Sequence, residues 1–200
     1  MDFKALVGKS EGWCSVEKME KMVEEARLAL LESGDLFLGI ELGVFAGRSI
    51  IPIADLLHSE NVAGMIYGID PWATAEATKG YSEEHEKWWR EVDLPEFLKR
   101  SHDLVRQYGL HKYVTLITST SDDAAILFRG ARLDYLHIDA QHVFEQFKRD
   151  VDNYVPLCRS GAPIIVDDVG WVGGSEASEY ISKLAEYKYS VGDCGFFVKK

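Results

Sequence analysis

At 200 residues, with 46% hydrophobic and 12% aromatic content, the chain is long enough for one sheet-and-helix domain and too apolar to be disordered. Its formal net charge of -11 repels polyanions and its Lys and Arg residues form no basic run, so nucleic acid is not expected as a partner. No apolar run approaches the roughly 18 residues of a membrane span. Met1 to Lys9 carries no signal-peptide core, and Cys14, Cys158 and Cys194 have no paired spacing, so a soluble, cytoplasmic protein with free thiols is expected, its oligomeric state left open.

The first amphipathic pattern runs from Cys14 to Ser33, with Val16, Met19, Met22, Val23, Ala26 and Ala29 near the 3.6-residue period, and Gly34 closes it. Leu36 to Leu42 is a short apolar run that predicts a buried strand entering the turn Gly43 to Gly47. A helix is expected from near Arg48, with Pro52 confined to its first turn. Further strands are predicted at Gly64–Ile69, Tyr113–Ile117, Leu133–Ile138 and Ala162–Val166, with helices at Asp123–Arg129 and Val143–Leu157. The polar, Trp-rich stretch 71–94 exceeds an ordinary connection and reads as a lid insertion. A helix over Ser175–Tyr187 and a hairpin turning at Gly192-Asp193 end the chain. This alternation predicts an α/β fold, Rossmann-like and doubly wound. The sheet should be mostly parallel, with helices on both faces, a C-terminal antiparallel hairpin and a single domain over 1–200.

In such a sheet ligands bind at the carboxyl ends of the strands. The first strand ends in Glu41-Leu42-Gly43-Val44-Phe45-Ala46-Gly47-Arg48-Ser49, where glycines allow close backbone approach and a helix start offers free amides to a carboxylate. Asp70, at the end of the second strand, suits a ribose diol. Phe45 stands where a dinucleotide turn would have its second glycine, which weakens an NAD reading. Asp139 and Asp167-Asp168 end the fourth and fifth strands. Carboxylates converging there repel one another unless a cation or hydrogen-bond donors neutralise them, and a hard divalent ion such as Mg²⁺ is one answer. Helix capping by Asp139 is the other reading of that position. His142, three residues on, is placed to act as a base near neutral pH.

Together, Glu41-Leu42-Gly43, Gly47-Arg48-Ser49, Asp70, Leu136-His137-Ile138-Asp139-Ala140-Gln141-His142 and Val166-Asp167-Asp168 resemble the class I S-adenosylmethionine-dependent methyltransferases. The branch they look most like is the small-molecule O-methyltransferases, with the catechol and macrolide-sugar enzymes and the cephalosporin-hydroxylase-like proteins. The resemblance implies that Glu41, Gly43, Phe45, Gly47, Ser49, Asp70, Thr120, Ser121 and Asp139 surround S-adenosylmethionine. Gly43 and Phe45 would lie on its methionine part, Ser49 on its carboxylate, Asp70 on its ribose, and Thr120 and Ser121 beside adenine. It also implies Asp139, Asp167 and Asp168 as ligands of Mg²⁺ and His142 as the catalytic base toward a small-molecule acceptor. Asp168 departs from the Asn common in the catechol type. Trp72, Trp88 and Trp89 are candidates to flank a ligand or to anchor the insertion. A metal-dependent hydroxylase on the same scaffold and a non-catalytic cofactor-binding module are the competing readings.

Overall fold

Strand β1 (Phe37–Leu42) sends Phe37 to one face of the sheet and Ile40 and Leu42 to the other, and all three are fully buried. Burying such side chains contributes roughly 1.5–3 kcal/mol each. The computed structural model describes residues 1–34 and 36–200, His85 by its backbone. Around β1 the chain builds a seven-stranded sheet from β2 (Gly64–Asp70), β3 (Val114–Thr118), β4 (Tyr135–Ile138), β5 (Pro163–Val166), β6 (Ala185–Val191) and β7 (Cys194–Lys199). Its order is β3-β2-β1-β4-β5-β7-β6. The first five strands run parallel, while β7 pairs antiparallel with both β5 and β6. The expected doubly wound sheet with a C-terminal hairpin is therefore present.

Strand alternation sorts the core into two layers. Phe37, Tyr135 and Ile165 pack with α1 (Phe3–Val7), α2 (Val16–Glu32) and α3 (Ile50–Ser59). Ile40, Leu42, Leu136, Ile138, Ile164 and Val166 pack on the opposite face. Among the described residues no helix is long and apolar enough to cross a membrane.

Several boundaries differ from expectation. Helix α3 starts at Ile50, not Arg48, because the Arg48 guanidinium turns back to the carbonyls of Val7, Ser10 and Gly12. The insertion is not plain loop. It holds α4 (Thr74–Ala77) and α5 (Glu83–Glu91), followed by α6 (Leu94–Gln107), whose periodicity at Leu94, Phe97, Ser101, Leu104 and Val105 sequence reading passed over. Asp93 caps α6 by accepting from the Glu96 amide at 3.2 Å. The expected helix at 123–129 is one turn, α7 (Ser121–Ala124), continued as 3₁₀ over Ala125–Phe128. Helix α8 (Phe144–Tyr154) likewise tightens to 3₁₀ at Val155–Leu157, where Pro156 removes an amide donor. The helix expected over Ser175–Tyr187 is α9 (Ser175–Ile181) only. From Ala185 the chain is strand, because Tyr187 and Tyr189 pair with Phe197 and Phe196, the second pair stacked at 4.8 Å.

Candidate active site

The strand order reverses between β1 and β4, which places their carboxyl ends at the centre of the sheet. Three non-glycine residues just beyond strand ends hold left-handed backbone: Phe45 (φ 49°) after β1, Trp72 (φ 42°) after β2 and Asp168 (φ 51°) after β5. Each such conformation costs on the order of 1–2 kcal/mol and persists only where neighbours hold it. Their concentration at one edge of the sheet marks this edge as the site.

Gly43 (φ 82°) lets β1 turn against the β4 loop. A Cβ there would lie 1.9 Å from the Asp139 carbonyl oxygen, so no other residue fits. The turn is clamped by Asp70, whose Oδ2 accepts from the amides of Val44 and Phe45, both at 2.9 Å, and whose Oδ1 accepts from the Trp72 amide at 2.7 Å. Burial pushes the Asp70 carboxyl up, and these three amides pull against it. The Trp72 indole donates to the Phe45 carbonyl at 2.8 Å, closing the ring of contacts that holds both left-handed residues. The same Phe45 carbonyl also accepts from the Ser101 hydroxyl on α6, beside which Gly47 (φ 81°) leaves room.

Glu41 and His137 are register partners on β1 and β4, so both side chains face α2 and α3. Glu41, completely buried, accepts from the Ser49 hydroxyl at 2.8 Å and pairs with His137 Nδ1 at 3.0 Å. Burial opposes the His137 imidazolium, yet the Glu41 carboxylate outweighs it and raises the pKa. Ser49 is thereby drawn off the end of α3, which has no side-chain cap, leaving the amides of that helix start available to an anion.

Two residues beyond His137 and Ile165 on the same face come Asp139 and Asp167, and there α2 inserts Lys18. Its ammonium lies 2.7 Å from Asp167 Oδ1 and 2.5 Å from Asp193 Oδ1, in the β6–β7 turn. His142 Nε2 lies 3.3 Å from Asp168 Oδ2 and 3.7 Å from Asp139 Oδ1. Burial disfavours the charged imidazole, but the facing carboxylates of Asp139, Asp168 and Asp167 prevail and raise the His142 pKa above its usual 6.5. The Asp168 carboxyl is pushed up to about 7, first by burial and then by its hydrogen bond to Asp193, with His142 opposing.

The carboxylates singled out from sequence therefore do come together, and a cation of the chain, Lys18, already meets Asp167. By donor chemistry, oxygen ligands suit a hard ion. Asp139 shares candidate metal-ligating groups with His137 and Asp167 and, separately, with His142 and Asp168, while Asp167 and Asp168 meet with Asp193. Among the described residues Asp139, Asp167 and Asp168 do not form one such group. As it stands, with the Lys18 ammonium on Asp167, the expected set of Asp139, Asp167 and Asp168 does not fit a divalent ion.

Other expected contacts are spoken for. The Phe45 ring stacks on Phe97 at 4.2 Å and Trp13 at 5.5 Å and meets Trp89 edge-on at 6.2 Å, so its side chain belongs to an aromatic cluster that fastens the insertion and the N-terminal segment to the glycine turn. Trp88 joins through Trp13 at 5.4 Å. Thr120 caps α7 through the Asp123 amide at 3.1 Å, and Ser121 donates to the buried Asp150 at 2.5 Å. The hydroxyls of both are thus engaged within the chain. Sequence reading missed Lys18, Asp193 and Tyr81, whose hydroxyl accepts from the His142 amide at 2.7 Å. The only signals were a lysine on the buried stripe of an amphipathic helix and an Asp in a hairpin turn. A cavity of about 10 Å³ at the strand ends, lined in part by Asp139, His142, Asp167 and Val172, has room for about one water.

The fold agrees with known proteins. The O-methyltransferase NovP is 18% identical over 93% of this chain and 81% of its own, with a TM-score of 0.74. The calicheamicin methyltransferase CalS11 is 14% identical over 92% and 80% (TM-score 0.64), and a methyltransferase of Podospora anserina, PaMTH1, solved with bound SAH, is 15% identical over 93% and 79% (TM-score 0.63). At such identities they establish the shared architecture. The family model described as a methyltransferase domain matches residues 40–169, which span the glycine turn, Asp70, the His142 loop and Asp167-Asp168, and the chain belongs to that methyltransferase family.

Proposed function

We propose that this methyltransferase moves the methyl group of S-adenosylmethionine to a hydroxyl of a small molecule, with His142 as the base. The observation that carries the reading is His142 held between Asp139 and Asp168 at the strand ends, on the loop that abuts the glycine turn. NovP, by name an O-methyltransferase, and SAH-bound PaMTH1 share this architecture and support the same direction. The acidic chain, net charge -11, favours a small acceptor over a nucleic acid.

The cofactor supplies an electrophilic methyl on a sulfonium. Asp70 has taken three of its roughly four lone-pair sites with amides, which leaves one on Oδ1 for a ribose hydroxyl. The uncapped start of α3 suits the carboxylate of the methionine part. Trp72 and the backbone at Thr120-Ser121 border the adenine side, and the 71–94 insertion covers the site as a lid. In transfer the C–S bond breaks as the O–CH₃ bond forms, and the hydroxyl proton passes to His142 Nε2. Asp139 and Asp168 stabilise the resulting imidazolium. A magnesium ion, which the resemblance also implies through Asp139, Asp167 and Asp168, has no step in this scheme.

The test is formation of S-adenosylhomocysteine by the purified protein with a panel of phenols, catechols and sugar alcohols. Product that requires both acceptor and His142 supports the reading. Cofactor binding without turnover on any hydroxyl acceptor would favour a binding module instead, and oxygen-dependent product without loss of the sulfonium methyl would favour a hydroxylase.

A further inference from the structure

Lysine is almost never fully buried unless its charge is paired. Lys18 is 7% exposed and lies in the first turn of α2, which Ser15 caps through the Lys18 amide at 3.1 Å. That cap fixes the helix start, and the buried stripe of Lys18, Met19, Met22 and Ala26 turns the side chain toward the carboxyl end of β5. There its ammonium bridges Asp167 (2.7 Å) and Asp193 (2.5 Å), two anchors 26 residues apart in sequence that, among the described residues, no other cation pairs with so closely. Asp167 is itself buried and Asp193 half exposed, so the lysine closes the cluster from the inside. His142 faces the remaining two carboxylates, Asp139 and Asp168. Asp167 and Asp193 thus face a cation of the chain's own, and a divalent ion placed against them would lie beside the Lys18 ammonium, whose acidic partners among the described residues are these two.

We infer that the Lys18 ammonium is the resident cation of the strand-end carboxylates, standing in for a divalent metal, so that this transferase neither binds nor needs one. The activity half of the inference rests on the methyl-transfer reading, whereas metal binding is measured on the protein alone. In electron balance nothing changes, since the methyl leaves sulfur for oxygen and the proton leaves oxygen for His142 with no redox partner.

The full chain, stripped of metal, is titrated with Mn²⁺ to millimolar concentration while free ion is followed by electron paramagnetic resonance, and its melting temperature is recorded with Mg²⁺ and with chelator. Wild type is expected to leave the Mn²⁺ signal unbound and its melting temperature unmoved. Lys18→Gln leaves Asp167 and Asp193 without their cation and is expected to gain Mn²⁺ affinity by at least about tenfold, with a melting temperature that now rises with the ion. Stoichiometric Mn²⁺ binding by wild type overturns the inference, and so does a folded Lys18→Gln variant with no gain. If that variant fails to fold, the wild-type titration still decides. Calorimetry with S-adenosylhomocysteine on the same wild-type sample separates the two readings: failure to bind it sinks the methyltransferase scheme and leaves the metal result standing.

Discussion

Asp70→Asn tests the ribose contact and the turn clamp together. The asparagine carbonyl can still accept from Val44 and Phe45, both 2.9 Å from Oδ2, but its amide group then faces the Trp72 N–H, donor against donor, where Oδ1 now accepts at 2.7 Å. A hydrogen bond to a charged group contributes about 1.5–3 kcal/mol, so the variant should lose on the order of 2 kcal/mol of stability through Trp72 alone. The one lone-pair site left on Oδ1 for the cofactor disappears as well. Loss of that single bond predicts roughly 10- to 150-fold weaker binding of S-adenosylhomocysteine. Thermal melts and isothermal calorimetry on the same preparation give both numbers. A variant that is destabilised yet binds the cofactor as wild type does would show that Asp70 serves the turn only and would remove it from the ribose.

His142→Ala should slow single-turnover methyl transfer by about 10²- to 10⁴-fold with little change in cofactor affinity, and the rising limb of the wild-type rate should lie above pH 6.5, since the carboxylates around His142 raise its pKa. A limb below pH 6.5 would contradict that charge balance. Gly43→Ala puts a Cβ 1.9 Å from the Asp139 carbonyl at a φ of 82° and should cost several kcal/mol, about 1–2 of it from the backbone alone, together with cofactor binding; a stable, binding variant would refute the close approach. Asp150, completely buried with its carboxyl pushed up to about 6 by burial, binds more protons folded than unfolded between its ordinary 3.8 and 6. Stability should therefore fall as pH rises through that window, and Asp150→Asn should abolish the slope and gain up to about 3 kcal/mol at neutral pH; an unchanged slope in urea melts would place the titration elsewhere.

The strands were legible because a buried parallel strand is a short apolar run between glycines and polar turns, and Phe37–Leu42 and Pro163–Val166 are little else. The sheet's outer hairpin was half legible. Gly192-Asp193 marks the turn, but Ala185–Val191 alternates too weakly between Ala185, Tyr187, Tyr189 and Val191 to reveal itself as strand until β7 supplies its partners. Helix α6 was hidden by its setting within and beyond a polar insertion, although Asp93, Pro95 and the spacing of Leu94, Phe97 and Leu104 are ordinary helix signals.

At the site, what sequence could supply was the identity of residues at strand ends, because the position of a strand's carboxyl end follows from the strand itself. What it could not supply was the partner arriving from elsewhere. Lys18 is 149 residues from Asp167, and nothing local distinguishes a lysine aimed at the core from one aimed at water. Three strand-end carboxylates call for a cation, and the one that meets Asp167 here arrives on α2.

Tyr81 shows why the same long-range placement bears on catalysis. It lies in the insertion, between α4 and α5, and its hydroxyl accepts from the His142 amide at 2.7 Å. Beside it Gly80, at φ 81°, brings the insertion to within van der Waals reach of Val143, where a Cβ would sit 3.3 Å from the valine side chain. The insertion and the loop that bears His142 are therefore fastened to each other, while the aromatic cluster of Trp13, Phe45 and Trp89 fastens the same insertion to the glycine turn. On the proposed reading, in which His142 is the base, the contacts that fasten the insertion also hold the loop carrying His142 where its imidazole meets Asp139 and Asp168.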